Sequence, residues 1–413
     1  MKTTPEAGRI ARRLVVLTPI EPAPTGNGLA MRAELFRRAA PLHADVQTLV
    51  VPVAARIPPR SGNDLVVVLP DPAAARRGAV ALAGDPVWRR RLARVVSLPA
   101  TARAASPGLA DAVVASVVEH GPFALHVMRA YLAPLGVAVA ERLGALWTTL
   151  DLDEDDVAFA RSIGDFEAAA AYERLLEVFG PFFDGLSAAS PDEAGAIGER
   201  HHLSVDHLPN AVQSSVPSLA PRRREKREPQ ALLFVGNLTY RPNLEAVDLL
   251  VEGILPAVRR RLGRRVHLTL VGPHDGRLDR LRAADVEVTG FVSDLGPFYA
   301  AADAFVAPLR SGGGTRIKLL EAFAHGVPVV ASSVAAAGLA VRDWRHLLLA
   351  DDCDRAATAV EMVLTDGELA ARLTGEAARL VQERYSTDVV VPATRDFFER
   401  AAARGWTRQL SSR

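Results

Sequence analysis

Short apolar runs alternate with longer segments of helical character along most of the chain. In the first half the runs are Arg13–Leu17, Val46–Val51, Leu65–Leu69, Phe123–Met128, Leu146–Leu150 and Gly185–Ala189. Apolar residues fill consecutive positions rather than alternate ones, the pattern of strands covered by helices on both faces of a parallel sheet. Residues 73–118, rich in Ala and Arg, read as helices. The alternation breaks at 213–230, where prolines, serines and the run Arg222-Arg223-Arg224-Glu225-Lys226-Arg227 make a linker. It restarts at Ala231–Val235 and continues through Val266–Val271, Val286–Val288, Ala304–Ala307, Val327–Ala331 and Leu347–Leu349. A last helical stretch, Thr387–Arg404, carries Val390, Val391, Phe397 and Phe398 as apolar anchors. The pattern predicts an α/β protein of two Rossmann-like domains whose parallel sheets face each other across a cleft. Residues 1–212 form the first domain and 231–386 the second, and ligands belong at the carboxyl ends of the strands.

Composition narrows the function classes. The 413 residues suffice for two domains of ordinary size. A formal net charge of +1 gives no global attraction to nucleic acid or to a membrane surface. The single cysteine, Cys353, excludes an internal disulfide and suits a reducing compartment. The apolar run Leu14–Leu17 behind Arg12 and Arg13 is too short for a signal-peptide core. No stretch approaches the roughly 18 apolar residues of a membrane span. These features predict a cytoplasmic protein with no transmembrane segment and no nucleic-acid partner. Arginine clusters at 89–91, 222–224 and 259–265 read as solvated faces, with a lipid surface or an acidic acceptor as the alternative.

The densest chemical signal is Ser311-Gly312-Gly313-Gly314-Thr315-Arg316-Ile317-Lys318-Leu319-Leu320-Glu321, which follows a strand. Glycines let the backbone approach a ligand. Thr315 can cap the helix that follows, and free amides with the helix dipole attract anions there. Arg316 and Lys318 add positive charge, so a diphosphate fits. Glu321, further along the helix, can accept from the vicinal hydroxyls of a ribose. The competing reading is a glycine-rich turn before an ordinary amphipathic helix. Two further strand ends carry glycine turns. Gly236-Asn237 leads to Arg241 and a helix opening near Asn243, and Gly290-Phe291-Val292 offers backbone groups to a nucleobase or simply packs. In the first half, Gly26-Asn27-Gly28 follows the first strand, but Gly-x-Gly-x-x-Gly fails at Met31, against a nicotinamide-dependent dehydrogenase.

Taken together, Gly236 to Asp351 resembles the nucleotide-sugar domain of family-4 retaining glycosyltransferases of the GT-B fold. The matching pieces are 234–238, 242–247, 270–272, 290–295, 299–304, 308–315 and 318–332, in the family's order and spacing. The resemblance implies that Glu321 holds the ribose and that the backbone at Phe291 and Val292 holds the base. Gly313, Gly314 and Thr315, with nearby basic side chains, would hold diphosphate and sugar. Gly26 and Gly28 would face the diphosphate and acceptor. The pair Glu-x7-Glu is incomplete, because Gly313 stands where the first glutamate is expected. Asn237 and Pro242 stand where the family often has Arg and Lys, and Arg241, Arg316 and Lys318 are the candidate replacements.

Many family members carry His-x-His at the end of the fourth strand. Here the stretch is His126-Val127-Met128-Arg129, which leaves His126 or Arg129 as cleft residues, against a packed histidine and a solvated arginine. The acidic burst Asp151-Leu152-Asp153-Glu154-Asp155-Asp156 reads as acids complementing a helix N-terminus rather than as a metal site. The resemblance also implies that helix 387–404 completes the first, acceptor-binding domain. The expected function is metal-independent transfer of a sugar from a UDP- or GDP-sugar to a small-molecule, lipid-linked or saccharide hydroxyl, with retained configuration and no cofactor. Amides at Gly313, Gly314 and Thr315, with Arg316 and Lys318, would stabilise the leaving diphosphate, and His126 would line the site. A nucleotide-sugar 2-epimerase and a degenerate nucleotide-sugar-binding subunit are the alternatives.

Overall fold

The structure is a computed structural model that describes residues 11–52, 65–67, 107–117, 121–213, 229–282, 285–312 and 317–411. Close contacts divide the chain into two compact units. One comprises Met1–Pro22, Arg32–Pro209 and Val391–Arg413, and the other Ala23–Met31 with Asn210–Val390.

The first unit is built on a seven-stranded sheet of β1 (Arg13–Thr18), β2 (Asp45–Val50), β3 (Leu65–Val67), β4 (Phe123–Met128), β5 (Thr148–Asp151), β6 (Gly185–Ala188) and β7 (Val205–His207). Its order is β3-β2-β1-β4-β5-β6-β7, and every pair is parallel. All six residues of β4 are buried. Val15, Leu17, Leu125, Val127 and Leu150 join Leu135, Leu175 and Phe179 from the covering helices in one core. Phe397, Phe398 and Ala401 of the helix Thr387–Ser411 are fully buried. A Cβ on Gly185 would come within 2.9 Å of the Phe397 ring, so β6 needs glycine there to receive that helix.

The second unit has a six-stranded parallel sheet of β8 (Gln230–Val235), β9 (Val266–Val271), β10 (Val286–Val288), β11 (Ala304–Ala307), β12 (Val329–Ala331) and β13 (Leu348–Leu349). The order β10-β9-β8-β11-β12-β13 repeats that of the first six strands of the other sheet. In both sheets the order reverses between the first and fourth strands of the set, so β1/β4 and β8/β11 mark the switch points where such sheets open a crevice for ligands. Side-chain carboxylates at Asp352 and Asp366 cap the helices Cys353–Thr365 and Gly367–Leu380. None of the described helices is long and apolar enough to cross a membrane.

Strand positions follow the apolar runs closely, with informative exceptions. β5 starts at Thr148 and not at Leu146, and β12 at Val329 after Pro328 rather than at Val327. β7 has no counterpart among the predicted runs. It is a half-exposed edge strand of sequence Val-Asp-His, too short and polar to show as an apolar run. Val68, Leu69, most of the helical region predicted at 73–118 and most of the 213–230 linker lie outside the described residues. Pro107–Ser116 is the part of that region seen as helix.

Candidate functional site

Three neighbouring strand ends in the second unit carry bare backbone. The Gly236 amide donates to the Val271 carbonyl at 2.9 Å, and the Gly272 amide to the Gly290 carbonyl at 3.0 Å. Gly272 has φ +143°, and a Cβ on it would sit 1.8 Å from the Gly236 carbonyl oxygen. Only glycine permits that approach. The strand ends therefore form a shelf without side chains beside the β8/β11 switch point.

Two polar side chains close over the shelf. A Cβ on Gly236 would meet Asn243 Nδ2 at 2.9 Å and Lys318 Nζ at 3.0 Å. Lys318 Nζ donates to Asn243 Oδ1 at 2.7 Å, and Asn243 Nδ2 donates to the Asn237 carbonyl at 2.8 Å. The Lys318 ammonium also lies 4.7 Å from the centroid of the Phe234 ring, in cation–π range. Lys318 comes from the first turn of the helix Ile317–Ala324, and Asn243 from that of Arg241–Asp248. The Asn237 side chain shapes its own turn, accepting from the Thr239 amide and hydroxyl at 3.0 and 2.8 Å.

One turn beyond Lys318, on the same helix face, Glu321 is 9% exposed. Its Oε2 accepts from the Tyr299 hydroxyl at 3.3 Å, and the Tyr299 ring stacks on His325 at 4.8 Å between centroids. Burial pushes the Glu321 carboxyl up to about 7, with Tyr299 and Lys318 opposing the rise. Burial also raises the Tyr299 phenol, with the Glu321 charge adding to the effect. A carboxyl, a phenol and an ammonium thus lie along one helix face, the carboxyl poised between its two protonation states near neutrality.

Other candidates fall in and out of this group. Phe291, after Gly290 at φ +82°, is 75% exposed and therefore not a packed core residue, while Val292 is half-buried against the core. Arg241 does not join the cluster. Its guanidinium is 77% exposed and pairs at 2.9 Å with Glu245 of its own helix. Gly26 has φ +93°, and Asn27 Oδ1 caps the next helix by accepting from the Leu29 and Ala30 amides at 2.9 and 3.3 Å. A Cβ on Gly28 would lie 3.1 Å from Ile317 Cγ2, so this loop packs on the start of the helix that carries Lys318 and Glu321. Gly313, Gly314, Thr315 and Arg316 lie outside the described residues. Gly312, at φ +119°, and Ile317 mark the two ends of that stretch.

The first unit corrects the reading of β4. His126 is fully buried between Phe36, with ring centroids 3.9 Å apart, and Phe398 at 5.4 Å. Its Nδ1 is 2.8 Å from Thr149 Oγ1, Nε2 has no partner among the described residues, and burial pushes the imidazole down to about 3. This is a neutral core histidine, enclosed by aromatic rings where no substrate reaches it. Arg129 is not solvated either. With φ +73° it turns a buried guanidinium onto Asp153, Glu154 and Asp156 at 3.2, 2.9 and 2.5 Å.

The acidic burst is absorbed by arginines. Asp151 takes a bidentate pair from fully buried Arg32 at 2.6 and 2.7 Å, plus the Ser187 hydroxyl at 2.8 Å. Asp155 accepts from Arg200 and caps the helix Asp156–Ser162 through the Val157 and Ala158 amides. Burial pushes Asp153 and Asp156 upward, and the arginines oppose it. The acids at 155 and 156 do stand at a helix N-terminus. The arginine partners, 24 to 121 residues away in sequence, carried no local signal.

Asn243, Tyr299 and Gly272 are the site residues that reading single motifs did not single out. Each stands inside a quoted motif, but its role appears only where separate strands and helices meet.

Residues 229–366 match the family described as Glycosyl transferases group 1. A phosphatidyl-myo-inositol mannosyltransferase of Mycobacterium leprae is 31% identical over 217 residues, covering 50% of this chain and 56% of the relative. A GDP-mannose-dependent alpha-(1-6)-phosphatidylinositol monomannoside mannosyltransferase of Mycobacterium tuberculosis is 27% identical over 345 residues, or 74% of this chain and 83% of that one. The chain thus spans little more than half the length of the first relative. Among solved structures, sucrose-phosphate synthase from Thermosynechococcus elongatus superposes with a TM-score of 0.69 at 18% identity, covering 95% of this chain and all of that one. That likeness shows the same two-sheet fold. With matched strand order in both sheets, the chain has the GT-B fold, and the segment that matches the group 1 glycosyl transferases, residues 229–366, lies in its second unit.

Proposed function

We propose that this protein transfers a sugar from a nucleoside diphosphate donor to an acceptor hydroxyl with retention of anomeric configuration. The observation that carries the reading is the Lys318 ammonium. It is fastened by Asn243 over the bare backbone of Gly236, one helical turn from the buried Glu321. A nucleoside diphosphate presents its diphosphate and its ribose diol in adjacent positions. An ammonium and a carboxylate at this spacing, beside a glycine shelf that excludes no backbone contact, complement that pattern.

The chemistry asks little of the protein. It must orient the acceptor hydroxyl beside the anomeric carbon and stabilise the charge that grows on the leaving diphosphate. Lys318 supplies fixed positive charge to that group, and the Gly313–Arg316 stretch would add amides and a guanidinium. The departing phosphate takes the acceptor proton, so the reaction needs no protein base, in keeping with the enclosure of His126. Charge on the diphosphate is met by protein groups, so the transfer proceeds without a metal ion. Both relatives named above are mannosyltransferases acting on phosphatidylinositol compounds by name, so GDP-mannose and a lipid-linked acceptor are the first pair to test.

Calorimetry with GDP and UDP, followed by a hydrolysis panel of their sugars, tests the reading. Binding of one nucleotide and slow hydrolysis of its sugar are expected, with an α-configured product by NMR when an acceptor is supplied. Failure to bind either nucleotide refutes the proposal. Binding without turnover points to a donor-binding subunit, and sugar isomerisation without acceptor to an epimerase.

A further inference from the structure

The second unit contains a cavity of about 560 Å³ lined by none of the site residues described above. One wall is the turn that begins at Arg342, held shut by the Arg342 amide donating to His346 Nδ1 at 2.9 Å and the Trp344 amide to the Leu347 carbonyl at 2.9 Å. The other wall is the end of the helix Gly367–Leu380 and the helical turn Val381–Tyr385. Tyr385 ties the walls together, its hydroxyl accepting from the Ala340 amide at 2.8 Å.

The charge in this cavity is uneven. Arg342, Arg345, Arg379 and Arg384 line it, against Glu376 and Glu383. Glu376 is already engaged by both Arg345, at 2.9 Å, and Arg379. His346 also lines the space; its Nδ1 accepts from the Arg342 amide, and burial with the neighbouring Arg345 lowers its basicity. Four guanidinium groups against two carboxylates leave an excess of two positive charges. Among the described residues Arg342 and Arg384 make no ion pair, and both are exposed to the cavity mouth. Scattered surface arginines usually spread over convex, solvated faces; here they converge on a concavity of ligand size. Guanidinium groups in that arrangement match the planar, bidentate demands of a phosphate.

From this geometry we infer that the Arg342–Arg384 cavity is a second anion site that takes a small phosphate monoester. The doubly charged phosphate neutralises the excess of two, and the remaining volume admits the organic group it is attached to. The site is connected to the donor cluster through packing, because the helix Gly367–Leu380 and the turn Val381–Tyr385 both rest on Ile317–Ala324, which carries Lys318 and Glu321.

The test is isothermal calorimetry on the full chain with glycerol 3-phosphate, inorganic phosphate and glycerol, and flotation with phosphatidylcholine vesicles with and without phosphatidic acid. Glycerol 3-phosphate should bind and glycerol should not. The double substitution Arg342→Ala/Arg384→Ala should weaken that binding by about tenfold or more while the thermal melt stays unchanged, since neither side chain makes an ion pair among the described residues. Lys318→Ala should leave it intact. Flotation only on phosphatidic acid vesicles, lost in the same double variant, would identify the phosphate monoester as a lipid headgroup. Absence of binding in every phosphate arm overturns the inference. So does equal binding by the double variant, or loss of binding in Lys318→Ala, which would move the anion to the donor cluster.

Discussion

Replacing Glu321 by Gln separates two effects that a purely structural residue would not separate. Glu321 is nearly enclosed, and lifting its carboxyl from 4.5 to about 7 means that ionising it in place costs about 3 kcal/mol at most. The folded-state value is raised, so the carboxyl is no burden below pH 4.5, and its burden is complete above pH 7. Glu321→Gln keeps the shape and can still accept from Tyr299. Its melting temperature should therefore exceed the parent's at pH 8, by several degrees if about 1–3 kcal/mol is recovered, and match it at pH 4.5 to 5. Nucleotide binding should move the other way. A ribose diol donates two hydrogen bonds to the ionised carboxylate, each worth about 1.5–3 kcal/mol, and the amide replaces only part of that. Affinity should fall about tenfold or more in the variant. In the parent, about a tenth of the sites are ionised at pH 6 and about nine tenths at pH 8, so affinity should drop about tenfold from pH 8 to pH 6. The variant, measured at both values, reports how much of the drop comes from the nucleotide's own phosphate. Differential scanning calorimetry and isothermal titration with the preferred nucleotide provide the readings. An equal stability difference at pH 5 and pH 8, or unchanged nucleotide affinity in the variant, refutes the reasoning.

Further outcomes follow from the same cluster. Lys318→Met should lower kcat by a hundredfold or more with a smaller change in KM, because its contact strengthens as charge develops on the leaving group; an effect confined to KM would assign Lys318 to ground-state binding. Gly236→Ala places a methyl against Asn243 and Lys318, and should cost about tenfold in donor affinity with the circular dichroism spectrum retained; wild-type affinity would show that the ammonium has room to move. Activity should survive excess EDTA, and Asp153→Asn should stay within a few-fold of the parent; loss in EDTA restored by Mn²⁺ or Mg²⁺, with Asp153→Asn inactive, would put a metal-bridged diphosphate in the mechanism.

Where the fold was legible, burial on both sheet faces made it so. The runs Phe123–Met128 and Ala304–Ala307 coincide with strands because every residue in them is buried, while Val266–Val271 and Val286–Val288 coincide through their buried valines and leucines despite His267 and the exposed Glu287. β7 is invisible for the opposite reason: an edge strand of three partly exposed residues needs no apolar run. Glycine turns at Gly236 and Gly290 were legible as strand exits, but the fit of Gly272 against the Gly236 carbonyl depends on the alignment of β8 with β9. His126 was misplaced because strand direction tells which end a residue occupies and not what covers it. The ring that encloses it, Phe398, arrives from a helix 272 residues later. Arg32 and Arg129 look like surface cations in sequence, and only the meeting of β5 with its neighbours turns them into the buried partners of Asp151, Asp153 and Asp156.

The departures at Asn237 and Pro242 acquire a physical account from this geometry. Where related chains often place an arginine and a lysine on the segment after the first strand of this domain, this chain has an amide and an imino acid. Pro242 suits the first turn of the helix Arg241–Asp248, where an amide proton has no intrahelical partner, but it delivers no charge. Arg241 does not compensate, since it leans along its own helix toward Glu245. The remaining candidate among the described residues stands across the switch point. Lys318 reaches back from the helix after β11 to the end of β8, and Asn243, one residue beyond the proline, receives its ammonium. The cation is thus tied to the helix that carries Glu321. Any shift of Ile317–Ala324 moves the Glu321 carboxyl and the Lys318 ammonium together, as one rigid pair set by a single helical turn. A donor held as proposed would be gauged by the spacing between its ribose and its diphosphate, which every nucleoside diphosphate shares. On the proposed function, discrimination between bases would arise elsewhere, and exposed Phe291, three residues beyond the end of β10, is the first residue to test for it.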